Sequence, residues 1–332
     1  MKGKRILTGV KPTGMPHIGN YFGAMAPALE LSRKASESLL FIADFHTLIS
    51  VHKGADIKAM VMELAVSWLA AGLDPDETTI YKQSDVPEIM EIAWILNCFT
   101  PKGLMNRAHA YKAKVQLNES EGKKDLDTGV NMGLYSYPVL MAADILSFNA
   151  DIVPVGPDQV QHIEITRDIA QKFNINYKCE AFKVPEFKVT TPVSVPGLDG
   201  RKMSKSYNNY IPLFGDSKKV RKKVMKITTD STPPEAPKNP DESIIMDIFK
   251  IVASKSEVED LKKSYESGIS WGDAKQALFE CLDKQFSEKN LKYNDLMCRP
   301  DDVNKILKQG AEKARSLAGP LLKELKSIVG VS

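Results

Sequence analysis

From its start to about residue 215 this chain alternates short apolar runs with longer segments of helical periodicity. Strand-type runs are expected at Arg5–Val10, 39–43 and 79–82, and amphipathic helices at 19–31, 56–72 and 88–98. Two neighbouring parallel strands need a long crossover between them, normally a helix, so this alternation predicts an α/β fold built on a doubly wound parallel sheet. After Pro212 the strand signals fade. A proline-rich linker at 232–240 precedes helical segments near 241–253, 257–265, 271–289 and 303–328. The expected organisation is therefore an α/β domain over 1–215 followed by an all-helical domain over 216–332. The polar stretch 119–125, with Gly122 inside it, reads as an exposed loop of the first part.

Composition removes several classes of function. The 332 residues are 43% hydrophobic and 26% charged, ordinary for a globular chain with a sizeable core. The N-terminus enters a strand directly, and no apolar run is long enough to span a bilayer, so a cytoplasmic protein with no membrane association is expected. Cys98, Cys179, Cys281 and Cys298 are scattered without CxxC spacing or paired histidines. Reduced thiols are expected, and no structural metal. The net charge of +3 does not by itself indicate nucleic-acid binding. Its distribution is more informative: Lys218, Lys219, Arg221, Lys222, Lys223 and Lys226 crowd one probable helix. With Val220, Val224 and Ile227 turned inward, a solvated amphipathic face explains that pattern better than a dedicated RNA contact.

Two segments carry the chemistry. Lys202-Met203-Ser204-Lys205-Ser206 follows the turn-forming run Pro196-Gly197-Leu198-Asp199-Gly200. Two ammonium groups on a small-residue loop suit a polyphosphate, which lysine grips as a flexible point charge; a solvated turn fits the same residues. Near the N-terminus, Lys11-Pro12-Thr13-Gly14-Met15-Pro16 breaks the first strand before a helix begins. His17, Gly19 and Asn20 then lie at a helix N-terminus, where unpaired N–H groups and the dipole favour anions. Gly19 leaves room for a nucleotide to approach the backbone. His17 and Asn20 are also good caps in their own right, and both roles remain open at this level.

Together, Pro16-His17-Ile18-Gly19-Asn20 and Lys202-Met203-Ser204-Lys205-Ser206 resemble the HIGH and KMSKS motifs of class I aminoacyl-tRNA synthetases. The middle of the chain narrows the resemblance. Tyr137-Pro138-Val139-Leu140-Met141-Ala142-Ala143-Asp144-Ile145-Leu146 and Val153-Pro154-Val155-Gly156-Pro157-Asp158-Gln159 are similar to the tryptophanyl-tRNA synthetase family, bacterial type. Further similar stretches are 9–23, 43–46, 161–173, 229–231 and 310–314, so the likeness spans nearly the whole chain. It implies a Rossmann-like catalytic domain, a helical anticodon-binding domain, a homodimer, and the substrates ATP with Mg²⁺, L-tryptophan and tRNA(Trp).

The resemblance also implies roles. His17, Asn20, Lys202 and Lys205 would be catalytic, handling the phosphates. Lys11, Pro12, Thr13, Gly19, Gly156, Pro157, Asp158, Val195, Met203, Ser204 and Ser206 would complete the ATP site. Tyr137, Met141, Val153 and Val155 would line an indole slot, with Gln159 and His46 at the polar end of the amino acid. An indole has a single polar group, a donor N–H, on a flat apolar body, so selective recognition needs one fixed acceptor among apolar walls. Asp144, inside an apolar helical segment, is suited to that task. A buried carboxylate must have partners, and a structural partner would also satisfy it.

The chain departs from the family's usual pattern at several positions. Pro157 stands where an acidic residue is common, Lys11 where glutamine is, and Leu7 where an aromatic is; the stretch 106–112 is remodelled, with Lys112 the lysine expected to reach substrate. Lys11 would add positive charge beside the triphosphate. A tyrosyl-tRNA synthetase would want a phenol-binding Tyr/Asp pair instead of Met141 and Asp144, and a non-catalytic tryptophan- or RNA-binding paralogue should lack the phosphate-handling residues present here.

Overall fold

The computed structural model describes residues 3–189 and 193–331. Five strands, β1 Arg5–Val10, β2 Glu37–Ile42, β3 Thr78–Lys82, β4 Ile152–Val155 and β5 Glu186–Val189, form one sheet in the order β3-β2-β1-β4-β5. Every pairing is parallel. Gly9 lies opposite Phe41 in the β1–β2 register, and β1 meets β4 at Ile6↔Ile152. From β1 the chain winds outward through β2 and β3, then returns across the sheet to β4. The direction of winding thus reverses between β1 and β4, where open α/β sheets bind ligands beyond the strands' carboxyl ends.

Most expected strands and helices appear within a few residues of their predicted limits, but the helix expected at 271–289 runs on to Met297. The helix expected at 19–31 is interrupted: Ile18–Asn20 is α-helical, Tyr21–Met25 makes a π turn, and Ala26–Ser32 resumes the α-helix. Such bulges are frequent next to functional sites. The edge strand β5 was not anticipated: Glu186-Phe187-Lys188-Val189 alternates polar and apolar residues, but the run is only four residues long and all four are exposed. Residues 121–125 are irregular and mostly exposed, as predicted, but Glu119 and Ser120 complete the helix His109–Ser120.

Helices cover both faces of the sheet in two apolar clusters. One joins Ile18, Tyr21 and the helix Gly54–Ala71 to Ile211, Phe214 and the long helix Trp271–Met297. Tyr21 packs edge-on against Phe286 at 5.0 Å, and Phe214 stacks on Tyr293 at 4.8 Å. The other cluster joins the helices Glu88–Phe99, Met132–Leu146 and Val160–Tyr177 to Ala311, Ala314, Ala318 and Leu322 of the last helix, Pro300–Val329. That helix lies directly on β3, where a Cβ on Gly310 would come within 1.8 Å of the Ile80 carbonyl oxygen. Apolar packing therefore runs across residue 215 on both faces. Two helices of this half begin with serine caps: Ser254 and Glu257 form a capping box, and Ser270 accepts from the Asp273 N–H.

Candidate active site

A cleft of about 610 Å³ opens at the carboxyl ends of β1 and β4. Leu7 to Lys11 line it from β1 and the following loop, and Val153 to Gly156 from β4. The helix Met132–Leu146 contributes Tyr137, Met141 and Asp144, and Thr13, Asn20, His46 and Gln159 complete the predicted residues that meet there. Gly9 keeps this floor thin, since a Cβ would lie 2.5 Å from the Phe41 ring.

The first motif is both cap and donor. His17 Nδ1 accepts the Asn20 backbone N–H at 3.2 Å, while Asn20 Oδ1 accepts the His17 N–H at 3.0 Å. Burial, then the nearby Lys205 ammonium, pushes the imidazole pKa down to about 4. His17 is thus neutral near pH 7, and because Nδ1 is an acceptor, its proton resides on Nε2 as a free donor. Capping occupies Nδ1 alone, so the two readings of His17 left open by the sequence are not mutually exclusive. Pro16 and Ile18 bond across to Leu213 and Ile211, so this helix start is fastened to the chain that follows the second motif.

The second motif rests on Asn209. Its Oδ1 accepts the Ser204 N–H at 2.8 Å, and its Nδ2 donates to Asp199 Oδ1 at 2.7 Å and to the Lys202 carbonyl. Met203 is a buried anchor that bonds through its N–H to the carbonyl of the equally buried Val195. These two residues hold the loop from below and do not line the cleft. Ser204 and Ser206 bond to each other, Lys202 is exposed, and Lys205 Nζ reaches back to donate to the Thr13 carbonyl at 2.7 Å. Gly19 sits between the motifs, its ideal Cβ position 2.9 Å from His17 Nδ1 and 3.5 Å from Met203 Cβ.

Pro12 is buried beneath the first loop, and Pro157 and Asp158 lie in the exposed 3-10 turn Pro157–Gln159 beyond β4, outside the cleft lining. Asp158 accepts from Gln159 at 3.0 Å, and Gly156 gives it room, since a Cβ there would lie 2.6 Å from Asp158 Oδ1. Lys11 lines the cleft and donates to Ser50 Oγ at 3.3 Å. Lys112 is exposed on the helix His109–Ser120 and is not among the lining residues. The remodelled stretch 106–112 is held by Gln161, which accepts the His109 N–H and donates to the Arg107 carbonyl.

Asp144 is fully buried at the base of the cleft. Its Oδ2 lies 2.9 Å from His46 Nε2, and its Oδ1 accepts from Gln83 Nε2 at 2.7 Å. Burial pushes its pKa up, opposed by the hydrogen bonds from His46 and Gln83. Gln83 carries no motif and escaped the sequence reading; its one signal is its place just past β3, at the carboxyl end of a parallel strand. His162 was missed for a similar reason. It is buried behind the cleft and shares a 2.5 Å hydrogen bond with the Tyr137 hydroxyl.

The basic helix, Ser217–Val224, buries Val224 and turns its cations outward, as an amphipathic face should. Lys223 donates to Asn208 Oδ1 and lies 5.0 Å from the Tyr210 ring, so the helix abuts the second motif. Among the described residues, no helix is long and apolar enough to cross a membrane.

A doubly wound sheet with two phosphate-suited motifs linked to each other beside its switch point defines a class of enzyme. The chain belongs to the class I tRNA synthetases for tryptophan and tyrosine, matching that family over residues 2–287. Among its relatives are tryptophan enzymes: it is 50% identical to the tryptophan–tRNA ligase of Neisseria meningitidis over 100% of this chain and 99% of that protein. It is also 50% identical to the tryptophan–tRNA ligase of Pseudomonas aeruginosa, over 98% of this chain and 74% of that one. The crystal structure of Campylobacter jejuni tryptophanyl-tRNA synthetase complexed with ADP and tryptophan superposes with a TM-score of 0.90 at 42% identity, covering 98% of this chain and 99% of the other.

Proposed function

We propose that this chain is a tryptophan–tRNA ligase: it activates L-tryptophan with ATP and transfers it to the 3′ end of tRNA(Trp), releasing AMP and diphosphate. The observation that carries the choice of amino acid is Asp144, a buried acceptor at the base of an otherwise largely apolar cleft, flanked by Met141 rather than by a phenol-binding Tyr/Asp pair. The presence of His17, Asn20, Lys202 and Lys205 argues for an active enzyme over a binding paralogue.

The reaction needs no enzyme nucleophile. A tryptophan carboxylate oxygen attacks the α-phosphorus, the bond to the bridging oxygen breaks, and diphosphate departs with the electron pair. A ribose hydroxyl of tRNA then attacks the acyl carbon and AMP leaves, the hydroxyl proton passing to solvent. Catalysis is positioning and charge stabilisation. The His17 Nε2–H and the Asn20 side chain serve one side of the phosphates; Lys202 and Lys205 close over the diphosphate as it forms. Gln159 and His46 serve the polar end of tryptophan, while Tyr137, Met141, Val153 and Val155 line the slot for the ring. Mg²⁺ carried by ATP would supply neutralisation of phosphate charge, complementing Lys202 and Lys205 on the protein side. Residues 216–332 supply the anticodon contact, the enzyme works as a homodimer, and its place is the cytoplasm, where its three substrates are.

Amino-acid-dependent ATP–diphosphate exchange across the twenty amino acids, followed by charging of tRNA(Trp), tests the assignment. Exchange driven by tryptophan alone is expected; exchange driven by tyrosine, or by none, would sink it.

A further inference from the structure

Gln83 has a locked amide. It is 0% exposed, and its Oε1 accepts the Phe45 backbone N–H at 3.2 Å. A flipped amide would set N–H against N–H at Phe45 and oxygen against oxygen at Asp144, so the NH₂ group must face the carboxylate, 2.7 Å from Oδ1. His46 engages the other oxygen at 2.9 Å. A carboxylate has about four lone-pair sites, and two fixed donors on opposite oxygens leave acceptor capacity while preventing rotation of the group.

We propose that Gln83, held by the Phe45 N–H, is a positioning residue for amino-acid selection: it fixes Asp144 as an acceptor-only group aimed at the indole N–H. This rests on the reading of the cleft as the tryptophan site. Gln83 is buried and does not line the cleft. Its effect passes through Asp144. Without the Gln83 donor, a buried carboxylate oxygen loses its partner, and the inexpensive remedy is to take up a proton. A neutral carboxyl offers an O–H to a substrate that is itself a donor, and the preference for a ring N–H falls. Simple packing around Asp144 would affect every amino acid of the same shape alike.

The test compares tryptophan with its analogue in which ring sulfur replaces the N–H, β-(benzothiophen-3-yl)alanine, by kcat/KM in ATP–diphosphate exchange. Gln83→Met removes the donor at similar volume. Gln83→Leu also removes the donor, with a smaller side chain, and stands in if the Met variant fails to fold. Asp144→Asn is the reference. Both Gln83 variants should lower the preference for tryptophan over the sulfur analogue by about 10- to 100-fold, the span expected for a charge-assisted hydrogen bond, with KM for ATP unchanged. Gln83 variants that slow both substrates equally, while Asp144→Asn still abolishes the preference, overturn the role of Gln83 alone. If Asp144→Asn also leaves the preference intact, the reading of the cleft fails and this proposal with it.

Discussion

The ammonium group of Lys205 donates to the carbonyl of Thr13 at 2.7 Å, across 192 residues of sequence. One hydrogen bond thus ties the second phosphate motif to the loop of the first. Desolvation lowers the Lys205 pKa, and an anion bound beside the ammonium would offset the hydration it has lost. Lys205→Ala should reduce kcat for ATP–diphosphate exchange by about 100-fold, the usual loss for one electrostatic donor to a developing charge. KM for tryptophan should hardly change; steady-state kinetics in both substrates reads the split.

His17 should make folding stability depend on acidity. Its folded pKa of about 4 lies below the ordinary 6.5, so between these values the unfolded chain binds the extra proton. The contribution is complete above pH 6.5 and is lost as pH falls towards 4. Urea unfolding at pH 7.5 and 5.0 should show a larger drop in midpoint for the natural protein than for His17→Asn. Equal drops would mean that the imidazole titrates as it does in water.

Lys11 lines the cleft together with Thr13 and Asn20. A unit charge about 4 Å from phosphate is worth about 1 kcal/mol even at the dielectric of water. Lys11→Gln should therefore raise KM for ATP about fivefold and weaken its salt dependence. An unchanged KM removes Lys11 from the nucleotide site.

Gly310 permits the last helix to touch β3. An added methyl would overlap the Ile80 carbonyl, which belongs to a sheet backbone and cannot turn aside. Gly310→Ala is expected to destabilise the fold by about 1–3 kcal/mol or more, despite alanine's better helix propensity. Chemical denaturation measures this directly, and a neutral or stabilising result would show that the helix is able to shift off the strand.

Much of this was written locally. Val10 at a strand end, the loop 11–16, and His17 with Asn20 at a helix start form a contiguous signal, and the tight turn before Lys202 is another. Met203 and Val195 show where local reading stops. Both belong to the ATP-side stretch by sequence, yet the structure buries them as the loop's anchor, because one apolar side chain in a polar loop gains most by leaving water. The partners of Asp144 were equally hidden. A glutamine after a strand and a histidine in a one-turn helix acquire meaning only when β3, the helix Asp44–Thr47 and the helix Met132–Leu146 converge.

By itself, the sequence determined the alternation that makes a parallel sheet, the two phosphate-suited motifs, and an acid in an apolar segment, because these depend on periodicity and on chemistry within a few residues. Only the tertiary structure decided that Lys205 meets Thr13, that Gln83 and His46 share Asp144, and that the last helix closes on β3. Those contacts join residues far apart in the chain, and they form because buried polar groups must be paired and apolar faces covered, conditions that fold as a whole meets and no single segment can.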